Sequence, residues 1–266
     1  MANFSPHRLI VESPFLAKST ISCGLIVHSN ATGRWIITQR RHSVEITIIM
    51  RGLYRATYLP FYMLELPLAE AKLLAKCLGL DDEQRPDEQN PGKFIFSQQL
   101  ALRVDEDAFR HLFLNILGLP PAELSYGLTR LQDCQEQLRC LLHNIDFSRN
   151  IPQWIWPKGR IEFKENSFAC AAREFREEVG TDLPPALYIS KEYINHTIRT
   201  HSGRVLESRY FIYIVDEEFT IQDPIDHPEV SARKWATEAE VQTLIAHPDL
   251  FYRVKADTSY FMKCIE

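Results

Sequence analysis

Glu174, Glu177 and Glu178 stand at positions i, i+3 and i+4, which at about 100° per residue places three carboxylates on one face of a helix. Like charges at that spacing weaken the helix that carries them, and a plain surface helix would gain from a lysine at one of the three. Two readings stand: a solvated acidic face, or a site for a hard divalent cation. Mg²⁺ and Mn²⁺ take oxygen ligands, and Mg²⁺ sites pair carboxylates with the phosphates of a substrate. Beside the acidic face lie Phe168, Ala171, Ala172, Phe175 and Val179, an apolar stripe suited to packing on a sheet. The stretch 157–180 therefore reads as a short loop running into one amphipathic helix that closes at Gly180.

The cluster belongs to a longer frame. Gly159, five residues, Glu165, seven residues, then Arg173-Glu174-Phe175-Arg176-Glu177-Glu178-Val179-Gly180 matches the Nudix box. Seven fixed residues would coincide at roughly one start in 10⁸ at average usage, so the helix resembles a Nudix catalytic helix. Thr181 stands where the family usually has an apolar residue.

The elements that must position this helix lie on both sides of it. Residues 19–27 and Trp35–Arg40 are strand-like runs joined by a turn at 29–34, and together they form an expected hairpin. An irregular arm is expected over 1–17. Between 44 and 149 the texture is helical: Pro67 opens one helix that Gly79 ends, Asp105 caps a second that Gly118 ends, and a third follows Pro120-Pro121 to about His143. An acidic, proline-containing loop is expected over 81–93. After the box, residues 187–200 and 208–215 read as antiparallel strands around a turn at 201–204, and 230–235 as another strand. Thr237 and Glu240 form a capping box, and 251–264 is expected to be helical. The predicted fold class is α+β, a Nudix fold with a mixed β-sheet sandwiched between helices. Residues 1–43 form its first part, 44–149 an inserted all-helical domain, and 150–266 the second part bearing the box.

Composition limits the alternatives. A chain of 266 residues with 45% hydrophobic and 24% charged residues supports a sizeable core. The net charge of −5 advertises neither nucleic acid nor a membrane surface, so an anionic substrate must be met locally. Six scattered cysteines without a C-x-x-C pair fit reduced thiols in a cytoplasmic setting. With no signal peptide and no apolar run of spanning length, a soluble protein without membrane association is expected.

Flanking stretches narrow the resemblance. Trp154-Ile155-Trp156-Pro157-Lys158-Gly159-Arg160-Ile161 is similar to the W-x-x-P-K-G-K stretch of the eukaryotic mRNA-decapping branch, Cys170-Ala171-Ala172-Arg173-Glu174 to its C-A-x-R-E run, and Glu229-Val230-Ser231-Ala232-Arg233-Lys234-Trp235 to its E-I-S-x-I-x-W strand. The long helical insertion resembles the decapping enzymes of large DNA viruses, of the African swine fever virus type. The resemblance covers residues 18–43 and 151–265; the insertion matches in position and helical character alone.

That resemblance implies metal ligation by Glu174, Glu177 and Glu178, completed by the Gly159 carbonyl, with Mg²⁺ or Mn²⁺ as cofactor. Glu178 is the indispensable catalytic residue. Glu229 is implied as general base or a further ligand, against a plain solvated glutamate before an edge strand. Lys158 is a compact cation suited to a phosphate, against an ordinary loop lysine. Arg173 and Glu165 are expected to support the box as a pair. Trp154 and Trp156 offer either a stacking face for a cap or base or core packing, and Arg40 and Arg41 either phosphate contacts or a solvated strand end.

The function so implied is metal-dependent mRNA decapping, with capped RNA as substrate, 7-methyl-GDP and 5′-monophosphate RNA as products, and promotion of mRNA turnover or host shutoff in a viral setting. A Nudix pyrophosphatase acting on diphosphoinositol polyphosphates or nucleotide derivatives is the rival, and an inactive RNA- or protein-binding module is the alternative of another class, opposed by the complete set of box glutamates. Within 44–149, 11 Lys/Arg against 15 Asp/Glu argue against a broad RNA platform. Either a local RNA patch or a homodimer or protein interface is open to the insertion.

Overall fold

The computed structural model describes residues 21–80, 85–87, 90–95, 103–145, 147, 153–199, 205–223, 227–245 and 248–265. The expected N-terminal arm and the turn at 201–204 lie outside these residues. The chain opens with β1 (Ile21–Ser29) and β2 (Trp35–Arg40). It continues through α1 (Val44–Met50), α2 (Leu59–Leu64), α3 (Leu68–Cys77), β3 (Arg85–Asp87), β4 (Asn90–Ile95), α4 (Glu106–Arg110), α5 (Leu124–Asp133) and α6 (Gln135–Asn144). It returns with β5 (Trp154–Ile155), β6 (Lys158–Arg160), α7 (Ser167–Val179), β7 (Tyr188–Ile189), β8 (Ile194–Arg199), β9 (Val205–Val215), β10 (Val230–Ala236), α8 (Glu238–Leu244) and α9 (Pro248–Ile265).

One mixed sheet of eight strands runs in the order β10-β2-β1-β9-β7, with β5 on β2, β6 on β1 and β8 on β9. Central β1 is buried from Cys23 to Ser29, as a strand covered on both faces must be. It runs parallel to β9, from Ile21 opposite Glu207 to Ser29 opposite Val215. Alternation along β1 divides the apolar side chains between two layers. Cys23, Leu25 and Val27 meet Ala171, Phe175 and Val179 of α7, while Ile26 faces the layer of Val241, Leu250, Phe251 and Val254 from α8 and α9. The result is the expected α+β architecture, a mixed sheet between helices. Among the described residues no helix is long and apolar enough to cross a membrane.

The segment between β2 and β5 packs around its own apolar core, drawn from Ile46, Met50, Leu59, Met63, Leu74, Phe109, Phe113, Leu131, Leu138 and Phe147 among others. Ser43 caps α1 by accepting the Ile46 N–H, and Asp105 caps α4 by accepting the Ala108 N–H at 2.9 Å.

Three expectations are corrected. The inserted segment is not all-helical, because β3 and β4 pair antiparallel with Arg85 opposite Ile95. Polar, proline-containing residues there read as loop because a short two-stranded ribbon carries no long apolar alternation. The third expected helix is two, interrupted at Cys134 (φ −113°, ψ 11°). The run 187–200 divides into β7 and β8 around residues 190–193.

Candidate active site

α7 is set at both ends by local chemistry. Asn166 accepts the Ala169 N–H through its side chain at 2.8 Å, satisfying one of the orphan donors of the first turn. Gly180 closes the helix in the left-handed region at φ 74°, a conformation costly for other residues. The loop before it is held by Arg173, whose Nε and Nη2 donate to the two Glu165 oxygens at 2.9 and 3.0 Å, and whose Nη2 also donates to the Arg160 carbonyl at 3.0 Å. This paired arrangement holds Glu165 down to a pKa of about 2, chiefly through the Arg173 hydrogen bond.

The three carboxylates share one side of α7 but differ in exposure. Glu174 and Glu178 are only 9% and 5% exposed, whereas the Glu177 side chain is 54% exposed. A solvated acidic face would leave all three in water, and here two are not. Burial pushes Glu178 up to about 8, with the charges of Glu174 and Glu229 adding to the rise and Arg40 and the Lys158 N–H opposing it. Glu174 is likewise raised by burial, against the pull of Arg173. The Glu178 carboxylate accepts from the Lys158 N–H at 3.2 Å and from Thr38 Oγ1 at 3.4 Å. Burying anionic oxygen with so little compensation is costly unless a cation joins it.

The donor set suits such a cation. A Cβ on Gly159 would lie 2.1 Å from the Glu174 carboxyl carbon, so only glycine lets the β6 backbone approach that carboxylate. Carboxylate oxygens beside a backbone carbonyl are the ligand chemistry of Mg²⁺ and Mn²⁺. Among the described residues no three His, Cys, Asp or Glu side chains converge as a formed metal cluster. Arg173 Nη1 lies between Glu174 and Glu177, donating at 2.7 and 3.1 Å, and the Gly159 carbonyl faces the Cys170 thiol at 3.7 Å.

Two basic groups border Glu178. Lys158 Nζ donates to Ser208 Oγ at 3.1 Å and sits 5.8 Å from the Tyr210 ring centroid; burial, then the Arg40 charge, lowers it to about 8, while Glu178 pulls the other way. The charge of Arg40, at the end of β2, thus bears on both Lys158 and Glu178. Arg41 points elsewhere: its Nε donates to the His227 carbonyl at 2.7 Å and its Nη2 to the Val230 carbonyl at 3.4 Å.

Glu229 is exposed just before β10, near enough to Glu174 and Glu178 for its charge to raise both. The tryptophans part company. Trp156 is 1% exposed in the layer under α9, edge-on to Trp35 at 6.0 Å. Of the two readings open to it, a stacking face or core packing, Trp156 takes core packing, among Trp35, Phe251 and Val254. Trp154 is half-buried, with Lys234 Nζ 5.0 Å from its ring.

Four residues at the site escaped the sequence reading. Thr38 reaches Glu178, Ser208 holds Lys158, and Arg233 donates to the Glu178 carbonyl, to the Glu177 carbonyl at 3.5 Å and to the Gln222 carbonyl at 3.0 Å. His227 accepts the N–H groups of Glu229 and Val230 at 3.2 and 3.0 Å through Nδ1. Each acts across a long sequence separation or from an ordinary loop, where local pattern carries no signal; only Arg233, inside a strand, was locally unusual.

Comparison with known proteins gives one family match: residues 127–255 fit the model of the NUDIX domain. Among curated proteins none matches. Solved structures similar to this chain include an Ap4A hydrolase of C. elegans, at 10% identity and TM-score 0.41 over 92% of this chain and 99% of that one. The dihydroneopterin triphosphate pyrophosphohydrolase of E. coli is similar at 12% and 0.36 over 86% and 89%. The NUDIX domain of Shewanella oneidensis NrtR, solved with ADP ribose, is similar at 18% and 0.32 over 44% and 72%. Structural likeness at these scores carries no argument about substrate.

Proposed function

We propose that this chain is a Nudix hydrolase and, within that class, a metal-dependent mRNA-decapping enzyme. The reaction is hydrolysis of the cap pyrophosphate, adding water across one P–O–P linkage to give 7-methyl-GDP and RNA with a 5′-monophosphate. One observation supports this reading above the rest. The two stretches that resemble the decapping branch meet at Glu178 from opposite parts of the chain: the Lys158 N–H donates to its carboxylate and Arg233, from the stretch that begins at Glu229, donates to its carbonyl.

The residues take complementary parts. Glu174 and Glu178, with Glu177 and the Gly159 carbonyl beside them, would hold the divalent cation, Mg²⁺ or Mn²⁺. That cation, when bound, neutralises phosphate charge and acidifies water. Glu229, exposed and close to the buried pair, takes the proton of the attacking water. Lys158 and Arg40 supply positive charge where the phosphates lie, and Ser208 directs the lysine. Arg173 and Glu165 keep the box loop fixed to the helix. The resemblance to enzymes of large DNA viruses is what supports a part in turnover of messages.

The observation favouring the small-molecule rival is the net acidity of the helical segment, 11 Lys/Arg against 15 Asp/Glu over 44–149, which suits a protein or dimer contact better than a long RNA track. Competition separates the two. Long uncapped RNA should inhibit release of label from cap-labelled RNA. Indifference to long RNA, with turnover of diphosphoinositol polyphosphates or nucleotide derivatives, would replace decapping with the rival.

A further inference from the structure

We propose that His227 is a positioning residue that holds Glu229 in reach of the catalytic helix; the inference rests on the reading of Glu229 as the base. Glu229 lies one residue before β10, outside the strand itself, so its placement depends on the turn that precedes it. That turn is fastened at several points. His227 Nδ1 accepts the Glu229 and Val230 N–H groups at 3.2 and 3.0 Å. Arg41 donates its own N–H to the Glu229 carbonyl at 2.8 Å and its guanidinium to the His227 and Val230 carbonyls. Both backbone polar groups of Glu229 are thereby engaged, while its charge bears on Glu174 and Glu178.

Accepting at Nδ1 leaves the proton of the neutral ring on Nε2. A base must lie within hydrogen-bond reach of the water it activates, and small misplacement is expensive in rate.

The test is a double-mutant cycle in the full chain with Mn²⁺, using cap-labelled RNA and reading kcat and KM separately. His227→Ala should lower kcat about 10- to 100-fold, the loss usual for a supporting hydrogen bond, with KM within about twofold. In the Glu229→Gln background the same change should cost less than about twofold, because the residue it positions no longer works. His227→Asn, whose Oδ1 can replace Nδ1 as acceptor, should restore most of the rate. His227→Gln, whose longer side chain carries its acceptor past the Nδ1 position, should not; this pair keeps the test intact if the alanine variant fails to fold. Additive losses in the double variant, wild-type rates in His227→Ala beside an impaired Glu229→Gln, or rescue by glutamine alone would each overturn the inference. Full activity in Glu229→Gln would instead remove the base reading, and the inference with it.

Discussion

The sheet region and the inserted segment both bury charged groups, and they treat them in opposite ways. In the insertion, Glu70 accepts the Ser43 N–H at 2.8 Å together with its hydroxyl and lies 3.4 Å from His42, and Glu123 is met by both Nε and Nη2 of Arg51. At the site, Glu178 has a backbone N–H and one hydroxyl at longer distances and is pushed up to about 8. Lys158 beside it is pulled down to about 8. Buried charges with full partners hold architecture in place, whereas buried charges displaced from their ordinary behaviour mark chemistry. The same fold therefore distinguishes its supporting carboxylates from its working ones.

That contrast can be broken by substitution. Glu178→Gln should reduce turnover to background while leaving thermal stability unchanged or higher, since it removes a poorly compensated buried charge; activity assays beside a melting curve check both. A fall in stability instead would class Glu178 with Glu70. Arg51→Met should do the reverse, costing about 3–5 kcal/mol of stability by leaving Glu123 buried without its partner, with kcat of the folded fraction intact. Denaturant titration measures it.

His28 sharpens the comparison from within the sheet region. It is buried, its Nδ1 has no partner, and burial lowers it to about 4. Its folded value lies below the unfolded value of 6.5, so below pH 6.5 the unfolded chain takes up a proton that the folded chain refuses. Stability is thus present above pH 6.5 and is lost as pH falls toward 4, by about 3 kcal/mol in all. A His28→Leu variant should flatten that part of the profile; an unchanged slope would assign it to other groups. The smallest effect expected is in Arg233→Met, which removes donors to the last carbonyls of α7 and should cost about 1–2 kcal/mol with a modest fall in kcat.

Much of this was legible in the sequence, for stated reasons. The box helix declares itself through spacing, and its C-terminal end through Gly180. The central strands show in the apolar run of β1, and α8 in the Thr237–Glu240 capping box, present with both hydrogen bonds. Other features depend on partners that a linear reading does not supply. Trp156 and Trp154 are two residues apart and of one type, yet the packing of α9 decides that the former is core. Cys134 interrupts a helix whose apolar spacing continues through it. Thr38, Ser208 and His227 gain their roles only when β2, β9 and the turn before β10 are brought against α7.

The central claim is that Glu178 works in cap hydrolysis. Its most direct test is RNA radiolabelled in the cap, incubated with Mn²⁺ or Mg²⁺ and either the wild-type protein or Glu178→Gln, with products separated by chromatography. Labelled 7-methyl-GDP from the wild type alone is the predicted result. No release from folded, metal-supplied wild type, or equal release from both proteins, would contradict it.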